Sequence, residues 1–191
     1  MDKVALLIAD QCEETEAITV VDYLRRAEIS IDLISITGDL TVKGAHGINF
    51  QADFLIDQVE LRDYDYLVFT GGLGNAKALA SDDRVLTNVQ AFFRQGKRLT
   101  AICAAPLVFE AAGLADKIKG TAFPGILEQI DYQSPSQDLV VIDSEHGIIT
   151  SRGPATALCF ALALVTDIAG QTAADQLGQE LLVPEFKASH A

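Results

Sequence analysis

Short apolar runs alternate along this chain with segments whose apolar positions recur every three or four residues, and that alternation predicts its organisation. Residues 4–9 form a continuous apolar run, as expected of a strand covered on both faces. Residues 14–27 carry Ala17, Val20, Val21 and Leu24 at helical spacing and end in Arg25 and Arg26, which suit a helix C-terminus. A strand follows over residues 31–36. Residues 40–42 and 48–50 flank Lys43-Gly-Ala-His-Gly47 and read as a hairpin. Residues 66–70 form another core strand, ending in Gly71-Gly72 and followed by a glycine-containing loop.

The second half repeats the pattern. A helix is predicted over residues 83–95, capped by Asp82 or Asp83. A buried strand over residues 99–102 runs into a helix over 106–114, with Pro106 at its start and Gly113 at its end. Residues 140–142 and 148–151 flank Ser144-Glu-His-Gly147 as a second hairpin. Residues 154–168 make a long, mostly apolar helix with Pro154 early and Gly170 past its end, and residues 171–182 make a last helix. This order implies an α/β fold with a mainly parallel central sheet and helices on both faces. It predicts one domain over residues 1–184, followed by a disordered tail over 185–191.

Composition narrows the partners. The 191 residues include 27 acidic and 14 basic side chains, a formal charge of −13, and no basic cluster beyond Arg25-Arg26. That balance argues against nucleic acid or an anionic membrane surface. No segment has the roughly 20 apolar residues of a membrane span. The apolar N-terminal run is too short and wrongly flanked for a signal peptide. The three cysteines, Cys12, Cys103 and Cys159, are too few for a disulfide framework, which favours a reducing cytoplasm, and no spacing resembles a metal site.

The chemistry concentrates at predicted strand ends, where α/β sheets bind ligands. Cys103 lies between an apolar strand and a helix start, flanked by Ala101, Ala104 and Ala105. Free backbone amides and a helix dipole there favour thiolate, so an accessible sulfur with a lowered pKa is expected. Gly71-Gly72 reads either as a tight turn or, with the Ala104 amide, as donors to a tetrahedral oxygen. Glu13, Glu14 and Glu16 suit the first turn of a helix, and one of them turned into a cleft beside a thiolate becomes a proton carrier. Arg152 either braces a loop through a salt bridge or contacts an anion, and Gly71 and Glu13 are further candidates for substrate contact. Cys12 reads as a buried spectator or a resolving thiol, Cys159 as packing, His46 as a surface or interface residue, His146 as a turn residue and His190 as part of the tail.

Five stretches give the chain a resemblance: Ala9-Asp-Gln-Cys-Glu-Glu-Thr-Glu16, Leu24-Arg-Arg-Ala27, Val68-Phe-Thr-Gly-Gly72, Ala101-Ile-Cys-Ala-Ala-Pro106 and Thr150-Ser-Arg-Gly-Pro154. In this order the sequence resembles the ThiJ/PfpI superfamily, in the branch of the parkinsonism-associated protein deglycase and its bacterial relatives. The resemblance implies a flavodoxin-like three-layer sandwich and a homodimer. It further implies that Cys103 is an easily oxidised nucleophile, that Glu16 is a protonated carboxyl hydrogen-bonded to its sulfur, and that Gly72 and Ala104 supply oxyanion-hole amides. The activities implied are glutathione-independent glyoxalase and deglycase chemistry on small 2-oxoaldehydes such as methylglyoxal, with no cofactor and no metal. Redox sensing or chaperone action through oxidation of Cys103 is the alternative. Two departures stand out: Ala104 occupies the position of the protease-like branch's histidine, and Phe123 that of a histidine in the animal deglycases.

Overall fold

A computed structural model describes residues 2–185; the expected tail beyond them, with His190, lies outside the described residues. Among the described residues the strands and main α-helices run in the order β1 (Lys3–Ile8), α1 (Glu14–Arg26), β2 (Ser30–Ser35), β3 (Thr41–Lys43), β4 (Asn49–Gln51), β5 (Phe54–Leu55), β6 (Tyr66–Phe69), α2 (Leu73–Ser81), α3 (Asp83–Gln95), β7 (Arg98–Ile102), α4 (Leu107–Ala111), β8 (Lys119–Gly120), β9 (Ser134–Pro135), β10 (Val140–Asp143), β11 (Ile148–Ser151), α5 (Ala157–Ala169) and α6 (Gln171–Glu180).

Seven strands form one sheet in the order β10-β11-β7-β6-β1-β2-β5. Every pairing in it is parallel except β10 with β11. Period-two alternation sorts β1 between two cores. Ala5 and Leu7 face one side, packed with Phe69, Ala101, Val89 and Phe109, whereas Val4, Leu6 and Ile8 face the other, packed with Val20, Leu24, Phe160 and Leu164. Helices α2, α3 and α4 thus cover one face and α1, α5 and α6 the opposite one. This is the three-layer α/β sandwich expected from the sequence. Among the described residues no helix is long and apolar enough to cross a membrane.

Both anticipated hairpins form, β3–β4 and β10–β11. Asp82 caps α3 by accepting from the Arg84 amide at 2.9 Å, and Gly96 ends it in the left-handed region. Three readings need correction. Residues 73–81 are a helix, not a loop: Gly74 and Asn75 resemble turn residues, but Ala76 and Leu79 are drawn into the core. The helix expected over 106–114 shrinks to α4, which starts one residue after Pro106. The segment from Pro154 opens as a 3-10 turn before α5 begins at Ala157. The edge strand β5 and the β8–β9 pair, each two residues long, carry no periodicity a sequence could display.

Candidate active site

Strands β7, β6 and β1 are neighbours, so their carboxyl ends bring Cys103, Gly71-Gly72 and Glu16 together. Cys103 occupies the left-handed region at φ 66°, unusual for a residue with a side chain. Its amide donates to the Ser151 carbonyl and its carbonyl accepts from the Phe123 amide, both at 2.9 Å. These two bonds hold a conformation that costs about 1–3 kcal/mol and project the thiol towards β6. The sulfur is less accessible than its small neighbours suggested, since Cys103 is only 9% exposed. It also stands four residues before the five-residue α4, too far for that helix's first turn to act on it as expected.

Glu16, on the first turn of α1, is fully buried. One oxygen, Oε2, accepts the Gly71 amide at 2.6 Å; the other is buried without a hydrogen-bond partner. Burial pushes the carboxyl up to about 7, against the opposing pull of the Gly71 amide and the neighbouring thiol. Burial, followed by the Glu16 charge, likewise pushes the Cys103 thiol up to about 12, while the amides of Ala104 and Gly72 pull it down. The expected lowering of the cysteine pKa is therefore reversed, first because burial disfavours the thiolate and second because an ionised Glu16 carboxylate repels it. Protonating Glu16 removes that repulsion, leaves the two amides facing the sulfur, and turns the carboxyl into a donor.

Glycines make this space. A Cβ on Gly71 would come within 2.8 Å of Glu16 Oε2 and 2.9 Å of Cys103 Sγ. Gly72 has φ 84°, and a Cβ there would strike the Gln11 carbonyl and lie 2.7 Å from the Glu13 nitrogen. The Gly71 amide, considered a substrate contact, is already given to Glu16.

The remaining candidates separate. Glu14 is buried but turned away from the sulfur: its carboxylate accepts from the amides of His46 and Ile48 and pairs with the His46 ring at 2.9 Å. Although burial opposes it, these partners hold the Glu14 carboxyl down at about 2. Glu13 sits 3.7 Å from the exposed His46 ring. Donor atoms of Glu13, Glu14 and His46 lie within 4.8 Å of one another, an arrangement that fastens the β3–β4 hairpin to α1. Arg152 forms no ion pair among the described residues; it donates to the Gln137 carbonyl at 3.1 Å and its Nε is buried without a partner. Phe123, 45% exposed, lies against Gly153 at the rim. Cys12 is wholly buried, and burial with the Glu14 charge pushes its thiol up to about 12. Cys159 is half-buried on α5, and His146 is bonded to Asp143 in its turn.

The family model described as "DJ-1/PfpI family" matches residues 2–167. The chain belongs to the DJ-1/PfpI family. A relative from Arabidopsis thaliana, Protein DJ-1 homolog B, is 38% identical over 177 residues, covering 92% of this chain but 40% of that protein, so the chain spans less than half its length. The Glutathione-independent glyoxalase DJ-1 of Schizosaccharomyces pombe is 30% identical over 195 residues, covering 96% of this chain and all of that one. The solved structure "Toxoplasma gondii DJ-1, oxidized" superposes with a TM-score of 0.90 at 30% identity, covering 95% of this chain and 98% of its own.

The DJ-1/PfpI fold thus carries, in this chain, one further residue that the sequence did not single out. Asn75, fully buried in the first turn of α2, bonds the turn that holds both glycines. After Gly71-Gly72-Leu-Gly an asparagine reads as one more turn residue, so no sequence signal marked it.

Proposed function

We propose that the chain is a cysteine-dependent, cofactor-independent glyoxalase of deglycase type, acting on 2-oxoaldehydes such as methylglyoxal. The observation carrying this reading is the convergence on one buried sulfur of two backbone amides, from Gly72 and Ala104, and a carboxyl whose pKa is raised to about 7. Cys103 adds to the aldehyde carbon, its proton passing to the oxygen, and gives a hemithioacetal. The amides of Gly72 and Ala104 stabilise the negative charge on that oxygen during addition. Glu16 then takes the proton from the former aldehyde carbon and returns it to the neighbouring carbon through an enediol, so that a thioester of the hydroxy acid forms with no net oxidation. Water cleaves the thioester to lactate and frees the thiol. A carboxyl titrating near 7 suits both halves of that proton transfer. Glu13 and Arg152 are proposed to face the substrate's far end.

Chiral lactate analysis tests this. Freshly reduced protein should form lactate from methylglyoxal without added glutathione and in the presence of a chelator. The rate should fall below about 10 per second, the enzyme median, because Phe123 supplies no second base. Lactate no higher than with Cys103→Ser would refute it.

A second reading, redox sensing, is favoured by the same amides, which would hold a cysteine sulfinate's oxygens as well as a substrate's. We further propose a homodimer built from one domain in a reducing cytoplasm. The exposed Ile48 on the β3–β4 hairpin and Ile18 on α1 offer apolar surface for pairing, and a stable monomer by light scattering would count against it.

A further inference from the structure

One side chain holds the backs of both peptides whose fronts face the reactive pair. The Asn75 amide nitrogen donates to the Thr70 carbonyl at 2.6 Å and to the Gly71 carbonyl at 3.0 Å, and its oxygen accepts the Ala9 amide at 2.6 Å. Backbone donors and acceptors on opposite sides fix which end of the side chain is oxygen. The peptide containing the Thr70 carbonyl also contains the Gly71 amide, which donates to Glu16. The peptide containing the Gly71 carbonyl also contains the Gly72 amide, which faces the Cys103 sulfur. Both peptides are trans, so holding each carbonyl directs its amide the opposite way. Asn75 lies three residues past Gly72, which opens α2 without a side-chain cap, and its side chain is turned wholly inward.

We propose that Asn75 is a positioning residue of the Cys103–Glu16 pair, aiming the Gly71 amide at the carboxyl and the Gly72 amide at the sulfur. Through Ala9 it also ties the end of β1, which leads into the carboxyl's helix α1, to the glycine turn after β6. Its two N–H groups polarise both peptides, strengthening the amides on their other side. The inference rests on Cys103 and Glu16 being the reacting groups, but not on the identity of the substrate.

The test is the pH profile of Cys103 alkylation by iodoacetamide, followed by peptide mass spectrometry, in the parent, Asn75→Ala and Thr100→Val. The last loses a buried bond to the Leu67 carbonyl on the neighbouring strand without touching the glycines. Asn75→Ala should raise both inflections, and a rise of one unit in the thiol inflection lowers the rate about tenfold on the acid side. Thr100→Val should keep the parent profile. A parent-like profile in Asn75→Ala, or an equal shift in Thr100→Val, would overturn the proposal. Should Asn75→Ala fail to fold, nuclear magnetic resonance of the parent decides. The Asn75 side-chain amide protons and the Gly72 amide should titrate together with Cys103, and immobile Asn75 protons would refute the role. Neither readout needs turnover, so a protein that forms no lactate would defeat the glyoxalase reading and leave this one measurable.

Discussion

Replacing Glu16 with glutamine should make the protein more resistant to alkali than its parent. The carboxyl is fully buried, and burial raises it from the ordinary 4.5 to about 7. A carboxyl raised in the folded state binds its proton more tightly there than in the unfolded chain. Its stabilising contribution is therefore complete below pH 4.5 and is lost as pH climbs through about 7. At about 1.4 kcal/mol per pH unit, the loss amounts to roughly 3 kcal/mol. The glutamine side chain would accept the Gly71 amide as the carboxyl does and would present a neutral amide to the sulfur at every pH, so it escapes that loss. Urea midpoints of parent and Glu16→Gln, compared at acid, neutral and mildly alkaline pH, measure it. Groups remote from the pair titrate equally in both proteins and cancel in the difference; Cys103, which the Glu16 charge pushes up in the parent alone, adds to the parent's loss only above the ordinary thiol value of 9.0. Linkage counts bound protons and not their location, so the result holds whether the shared proton sits on oxygen or on sulfur. The difference should shift by about 3 kcal/mol in favour of Glu16→Gln between acid and alkaline conditions. A difference that stays flat would show that Glu16 ionises like an ordinary carboxylate and refute the reasoning.

Three other outcomes follow from the same geometry. Mild peroxide should oxidise Cys103 before Cys12 or Cys159, because the amides of Ala104 and Gly72 face the Cys103 sulfur and would hold the product's oxygens, whereas Cys12 is wholly buried; peptide mass spectrometry showing Cys159 modified first would contradict this. Gly72→Ala should destabilise the fold by at least about 2 kcal/mol in urea melts, since it places a side chain in the left-handed region against the Gln11 backbone. The pairing of Glu14 with His46 and two amides, which holds its carboxyl at about 2, supplies stability present above pH 4.5 and lost as pH falls towards 2. Glu14→Gln should flatten that acid-side loss and speed hydrogen exchange at His46 and Ile48.

The linear pattern determined more of the fold than of the site. The apolar run of β1, the helical spacing of Ala17, Val20 and Leu24, and the glycine-centred hairpins are local signals, because period and turn chemistry act over a few residues. They established the layer order and placed Cys103, Gly71-Gly72 and Glu16 at strand ends. Residue types alone pointed to Cys103 as a candidate nucleophile and to the Gly72 and Ala104 amides beside it. The ionisation of the pair was decided only in three dimensions. The sequence-based expectation put the Cys103 pKa down, whereas burial and the Glu16 charge put it up, and both are sums over neighbours that are remote in sequence. The same holds for Glu14, which is adjacent in type and position to Glu16 yet turned away to hold the His46 loop. Helix α2 and its inward Asn75 were hidden because glycine and asparagine look like a turn until Ala76 and Leu79 find the core. Propensity describes a residue in isolation, and tertiary packing overrides it wherever burial is worth more than the local preference.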